Sequence, residues 1–290
     1  MLRLAVTTNA ETFDRMRRPL ADRNIAAEHL PAKGRTFDLI TPPTQQFDVG
    51  FVYPSRIFEG AVIDAQYEIP WVNDRAAVLT SRNKAGVIAA LNAAGISVPD
   101  TLIVSNPTSP AAIRETIAES TLSYPIVIKP NSTTRGIGIA KLEDEDSLFG
   151  VIDYLNLLHD FNATGDKSFL LQEYLPDAKD YRVMILDGEY AGAVERQLPE
   201  SKRRDGRWKH NVHRGADASG VDLPPSHRQI AEQVAEHLSI PYLGVDLLVT
   251  EDRVVVSETN ARPTIDTATK YDPGFYDRLA SLIERTANQK

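Results

Sequence analysis

Short apolar runs alternate with helically spaced polar stretches along the first third of the chain. Leu2-Arg3-Leu4-Ala5-Val6 and the run 48–53 read as buried parallel strands. Between them, Thr41-Pro42-Pro43-Thr44 marks a loop. Asn73-Asp74 offers a cap for a helix over 75–94 that stops at Gly95. The first strand is followed by Thr7-Thr8-Asn9-Ala10 rather than Gly-x-Gly-x-x-Gly, which argues against a Rossmann dinucleotide site. A second unit begins near Val98-Pro99. Its pattern predicts a strand at 101–104, a helix at 109–120, strands at 124–129 and 139–142 around a polar turn at 131–138, a helix at 144–160 and a strand at 168–174. The third unit opens on strands 181–186 and 190–197 joined by Asp187-Gly188, a strong hairpin signal. A polar loop over about 198–224, a helix at 226–238, a second hairpin (242–249 with 254–259) and a last helix at 273–286 complete it. The expected class is α/β (α+β): an N-terminal α/β domain over 1–95, a central unit over 96–175 and a C-terminal unit over 176–290.

Composition narrows the picture without changing it. The 290 residues are 42% hydrophobic and 25% charged, enough for a packed core. No run of about 18 apolar residues appears, so no membrane span is expected, and the first residues are too short for a signal peptide core. There is no cysteine, which removes disulfides, thiolate metal sites and thiol catalysis. The net charge of −8 disfavours a general nucleic-acid binder. A cytoplasmic location is the expectation. Basic residues do gather between Arg196 and Arg214, including Arg203, Arg204, Arg207 and Lys209. That cluster reads either as a solvated loop or as a contact for a small anion.

Candidate chemistry concentrates in three places. In the second hairpin, Glu258 and Asn260 are two apart and share a face, and a turn centred on Asp252 sets Asp246 opposite Glu258. Two carboxylates about 5 Å apart repel unless a hard cation such as Mg²⁺ offsets them; the alternative is a solvated face. In Ile126-Val127-Ile128-Lys129-Pro130, a lysine ends an apolar run with its ammonium free to meet an anion. The turn after it has small residues that let backbone N–H groups approach phosphate, although an ordinary hairpin has the same look. The third place is Leu170-Leu171-Gln172-Glu173-Tyr174-Leu175, whose backbone could meet a purine, followed by Asp180 and Arg182; a plain core strand is the alternative.

Taken in order, Asn83-Lys84, Ile128-Lys129-Pro130 with the loop through Gly138, Gln172-Glu173-Tyr174-Leu175, Asp180-Tyr181-Arg182, Gly244-Val245-Asp246 and Glu258-Thr259-Asn260 resemble the ATP-grasp superfamily. Ala193-Val194-Glu195-Arg196 and Asn211-Val212-His213-Arg214-Gly215 look like its RimK-like α-L-glutamate ligase branch. The resemblance spans about residues 70–265. It implies an ATP-grasp fold with a mobile lid, and an ATP-dependent ligase that forms an amide through an acyl-phosphate and releases ADP and phosphate. It implies that Lys84 and Lys129 bind phosphates, and that Thr133, Thr134, Arg135, Gly136 and Gly138 close over them. Gln172, Glu173, Tyr174 and Leu175 would line adenine, Asp180 would hold the ribose, and Asn211 and Arg214 would add to the nucleotide site. Asp246, Glu258 and Asn260 would hold two Mg²⁺ ions, with Mn²⁺ an alternative, while Arg182, Arg196 and Arg262 would be catalytic.

The implied partners are ATP, an amino acid such as glutamate, and a carboxylate acceptor on a small molecule or protein tail. A homo-oligomer is compatible with the sequence. Asn260 is followed by Ala261-Arg262-Pro263-Thr264, where RimK-like ligases usually show Ser-Pro-Gly. Arg262 could therefore meet a substrate anion or form a salt bridge with Asp266 or Asp272. The other readings are a ligase of another branch, acting on a peptide, a glutathione-like precursor or a purine intermediate, and a nucleotide-binding scaffold without turnover.

Overall fold

Strand β1 (Leu2–Val6) lies between β2 (Ile25–His29) and β3 (Val49–Val52), and β3 pairs with β4 (Trp71–Asn73), all parallel, in the order β2-β1-β3-β4. The computed structural model describes residues 1–133, 137–161, 167–204, 207–209 and 215–289. Helix α1 (Ala10–Ala21) starts where Asn9 accepts a bond from Thr12 N, and α2 (Ile57–Tyr67) carries the chain from β3 to β4. The cap at the next helix is Asp74, which accepts from Ala77 N. The expected single helix over 75–94 is two, α3 (Arg75–Arg82) and α4 (Lys84–Ala93). Asn83 divides them: it leaves helical geometry at ψ 85° and its side chain caps Gly86 N. That break brings Lys84 to the first turn of a new helix, where its side chain is buried.

Asn73 is a clamp rather than a cap. Fully buried at the end of β4, it donates to Tyr242 O and Ala261 O, both at 2.6 Å, and accepts from Tyr242 N at 3.2 Å. It thus ties the first sheet to the C-terminal unit. Asn73→Ala would strand three buried backbone groups, so a stability loss of about 3 kcal/mol is expected. A urea midpoint that does not move would refute this.

The middle sheet has order β5-β8-β6-β7, from β5 (Thr101–Ser105), β8 (Ser168–Glu173), β6 (Ile126–Pro130) and β7 (Ala140–Leu142), all antiparallel. Helices α5 (Pro110–Glu119) and α6 (Glu145–Phe161) pack on it around a core of its own that includes Ile113, Ile126, Leu148 and Phe169.

The C-terminal sheet is antiparallel, in the order β11-β10-β9-β12-β13. Its strands are β9 (Lys179–Leu186), β10 (Glu189–Gln197), β11 (Asp217–Gly220), β12 (Tyr242–Val249) and β13 (Val254–Asn260), with β14 (Lys270–Tyr271) paired to β10. Asp187 and Gly188 have φ of 58° and 81°, as a tight hairpin turn requires. The polar stretch 198–224 holds a short helix α7 (Glu200–Arg204) as well as β11, neither of which carries an apolar period to announce it. Helix α8 (Pro225–Leu238) packs on β9, β10 and β12, while α9 (Phe275–Ala287) packs against α1 and strands β3 and β4 of the first sheet. One continuous core joins this unit to the N-terminal sheet, with the Phe51 and Tyr242 rings 4.9 Å apart at its centre. The middle sheet, with its separate core, is the part of the molecule set apart by packing. Among the described residues, no helix is long and apolar enough to cross a membrane.

Candidate active site

The uncovered face of the C-terminal sheet carries a ladder of charges fixed by strand register. Arg182 on β9 sits opposite Asp246 on β12, which sits opposite Glu258 on β13. Two residues along, Asp180 faces Arg196 on β10, and Asn260 lies two residues beyond Glu258. Side chains two apart share a face, so all six belong to one surface. A bulge between Asp246 and Leu247 lets the hairpin regain its apolar register, with Leu247 opposite Val256.

Asp246 is buried and receives both arms of Arg182: Nε to Oδ1 and Nη2 to Oδ2, each at 2.7 Å. Arg196 adds Nη2 to Oδ2 at 3.0 Å and also pairs with Asp180 Oδ1. Burial alone pushes the Asp246 carboxyl up, yet the two guanidiniums hold it down at about 2. Burial pushes the Arg196 guanidinium down, but Asp246 and Asp180 raise it above its ordinary value. The repulsion between Asp246 and Glu258 anticipated from sequence is thus offset by protein cations, since Lys84 Nζ stands 3.6 Å from Glu258 Oε1. A metal is not needed to hold the two acids together.

Two lysines lean over the ladder from other segments. Lys84 Nζ donates to Asn131 O at 3.3 Å and to Thr133 O, so it braces the turn that follows β6. Lys129 Nζ donates to Gln172 Oε1 at 2.7 Å and reaches Ser257 O at 3.5 Å, linking the middle sheet to β13. Burial presses its ammonium down to about 8, against the pull of Glu258 and with the push of Lys84. It remains mostly charged at neutral pH. In the turn, Thr133 Oγ1 donates to Ile137 O at 2.9 Å, and Gly138 has φ 78° with no room for a Cβ, which would fall 2.7 Å from Pro130 Cγ. Thr134, Arg135, Gly136, Asn211 and Arg214 lie outside the described residues.

Glu173 uses its side chain structurally, accepting from Asp100 N at 2.8 Å and pairing with Arg253. Beyond it, Tyr174 packs edge-on against Trp208 with Lys141 Nζ 4.9 Å from its ring, and Leu175 continues toward β9. Lys209 donates to Ile139 O, so part of the basic loop 202–214 rests on the middle sheet. Arg262 makes neither of the salt bridges weighed from sequence. β13 ends at Asn260, whose Oδ1 accepts from Arg262 N at 2.9 Å, so strand periodicity no longer governs where Arg262 goes. Its guanidinium instead binds Tyr53 O, Val52 O at 3.5 Å and Thr7 O at 3.0 Å.

Sequence reasoning passed over Ser81 and Arg82, and took Asn131 only as part of the polar turn. Asn131 Oδ1 accepts from Ala85 N and its Nδ2 donates to Asn83 Oδ1, locking the turn to α4. Arg82 sits beside the Asn83-Lys84 motif, but a helix read through to residue 94 hid the break that makes it significant.

The donor set suits a hard cation of a particular kind. Among the described residues no group of three His, Asp or Glu side chains converges, and Asp246, Glu258 and Asn260 supply two carboxylates and one amide. Mg²⁺ commonly takes one or two protein carboxylates and completes its shell with phosphate and water. Four protein cations (Arg182, Arg196, Lys84, Lys129) face three carboxylates (Asp180, Asp246, Glu258), so a polyanion is favoured over a lone cation.

Comparison with known proteins agrees with this chemistry. A model of the RimK-like ATP-grasp domain matches residues 81–273. A probable alpha-L-glutamate ligase of Hydrogenovibrio crunogenus is 28% identical over 241 residues, 80% of this chain and 74% of its own. The ribosomal protein bS6–L-glutamate ligase of Shigella boydii is 29% identical over 251 residues, 84% of this chain and 76% of its own. The crystal structure of a RimK domain ATP-grasp protein from Sphaerobacter thermophilus superposes with a TM-score of 0.68 at 19% identity, covering 99% of both chains.

Proposed function

Since this chain belongs to the RimK-like ATP-grasp family, we propose that it couples ATP cleavage to joining L-glutamate, through its amine, to a carboxylate acceptor. It has the ATP-grasp fold and is an ATP-dependent ligase that forms C–N bonds. The observation that carries the reading is the charge ladder overhung by Lys84 and Lys129, which offers a surplus of positive charge along one sheet face.

The geometry supports these roles. Lys129 and Lys84 neutralise phosphate oxygens, and Lys84 also holds the Asn131–Thr133 carbonyls in place so that the turn can fold over the nucleotide. The run 172–175 links the middle sheet to β9 and lines the adenine edge, with Glu173 fixed by Asp100 and Arg253. Asp246, Glu258 and Asn260 would hold Mg²⁺, which when bound spreads and neutralises phosphoryl charge. Arg182 and Arg196 orient Asp246 and set positive charge beside the transferred phosphoryl group. The acceptor carboxylate attacks the γ-phosphate and ADP leaves; the glutamate amine then attacks the acyl carbon, phosphate leaves, and the amine proton passes to solvent or phosphate. No protein nucleophile is needed. The unit over 96–175, with its separate core, serves as the lid that excludes water from the acyl-phosphate.

The test is phosphate release from Mg–ATP in the presence of single amino acids and a panel of carboxylates, with products read by mass spectrometry. L-Glutamate should stimulate release more than neutral amino acids, and the product mass should equal the acceptor plus glutamate less water. Failure of every amino acid to stimulate release would remove the reading.

A further inference from the structure

The end of α3 is zipped to the end of β13. Ser81 Oγ lies 3.2 Å from Thr259 Oγ1 and accepts from Ala261 N at 2.9 Å, and Lys84 meets Glu258 nearby. Arg82 and Arg262 are next in the chain to Ser81 and Ala261 of these contacts. Both guanidiniums rest on one short segment past β3: Arg262 on Val52 O and Tyr53 O, Arg82 on Ser55 O at 2.9 Å. Neither has a carboxylate partner among the described residues. Arg182 and Arg196, by contrast, share two acids on the sheet face. Arg262 is largely enclosed by backbone carbonyls, and the Arg82 guanidinium is its charged neighbour. Two like charges held together without a counter-ion cost stability unless a ligand supplies the anion.

Their position favours a ligand. β1 and β3 are adjacent in the N-terminal sheet, while their connections leave in opposite directions, to β2 and to β4. A crevice opens outside the carboxyl ends of strands at such a switch point. Thr7 and the end of β3 stand at that edge, and Arg262 bridges their carbonyls. The N-terminus of α1 arrives there too, with Asn9 Nδ2 donating to Thr264 Oγ1 at 3.4 Å. Thr8, on the same edge, buries a hydroxyl that has no hydrogen-bond partner among the described residues.

We propose that Arg82 and Arg262 form a carboxylate anchor for the amino-acid substrate, holding a carboxylate that does not react while the amine is presented to the charge ladder. This rests on the ligase reading. It gives Arg262, whose partners are otherwise backbone carbonyls, and Arg82, which the motifs do not include, a shared role in substrate specificity.

Arg82→Gln is the informative variant, because Arg262 also braces three carbonyls and its loss would confound binding with folding. In steady-state assays the KM for L-glutamate should rise ~10- to 100-fold, the loss of about one charge-assisted bond, with the KM for ATP within about twofold. The melting temperature of the unliganded variant should be equal or higher, since a like-charge contact is relieved. A lower melting temperature with an unchanged glutamate KM, or an equal rise for ATP, would overturn the proposal. A wild-type protein inert toward glutamate would sink the glutamate reading but still judge the pair, through glutarate as a probe. Millimolar glutarate should raise the melting temperature of the wild type and not that of Arg82→Gln. No shift in the wild type would refute the anchor.

Discussion

Glu258→Gln should lower turnover by a factor on the order of 10²–10³ while leaving the protein folded. Glu258 is half-buried and stands opposite Asp246 on β13, so losing its charge relieves a repulsion rather than breaking a core contact. Lys84 keeps the carbonyls of Asn131 and Thr133 and is not left without partners. What the amide cannot supply is the second negative charge on the ladder, which the bound cation and its phosphates need. The check is kcat and KM for ATP beside circular dichroism and melting curves. Full activity at ordinary Mg²⁺ with an intact fold would remove Glu258, and with it the proposed metal site, from the mechanism.

Asp246→Asn should instead strike stability. Arg182 and Arg196 converge on this one buried carboxylate, and removing it leaves guanidiniums poorly compensated in a buried setting, at a cost of about 3–5 kcal/mol. The effect should depend on pH in a defined direction. Burial raises the Asp246 carboxyl, but Arg182 and Arg196 hold it at about 2, below the roughly 3.9 of an unfolded chain. Its contribution is therefore complete above about pH 4 and lost as the pH falls toward 2. The gap in unfolding free energy between wild type and Asp246→Asn should be large at neutral pH and shrink across that window. A gap that stays constant down to pH 2, measured by urea unfolding, would show that the carboxylate is not stabilised by the two arginines.

The parts of the fold legible in the sequence were those decided by neighbours along the chain. Asp187-Gly188 announces its hairpin because both positions need positive φ. The second hairpin was also legible, but its turn closes between Thr250 and Arg253 with Val249 opposite Val254, and only the bulge after Asp246 brings Glu258 opposite it. The bulge after Asp246 left no local sign, because it answers to packing against the core beneath. The helix break at Asn83 was missed for a related reason. Residues 75–94 have continuous helical spacing, and only the docking of Ser81 against Thr259 and of Asn131 against Asn83 and Ala85 favours ending one helix and starting another.

The residues of the candidate site could likewise be named from the chain: two lysines, two acids and an amide in an order that resembles a known family. Who neutralises whom was not. Asp180 and Asp246 are separated by more than sixty positions, and Arg196 reaches both only because β9, β10 and β12 lie side by side. Arg262 is the clearest case. Its partners are the main-chain carbonyls of residues 7, 52 and 53, and every residue carries such a carbonyl, so no side-chain pattern could have marked them. Local sequence set the strands, the turns and the identity of the reactive groups. The packing of the first sheet's carboxyl edge against the end of β13 decided which charges are paired with acids and which two arginines rest on backbone carbonyls.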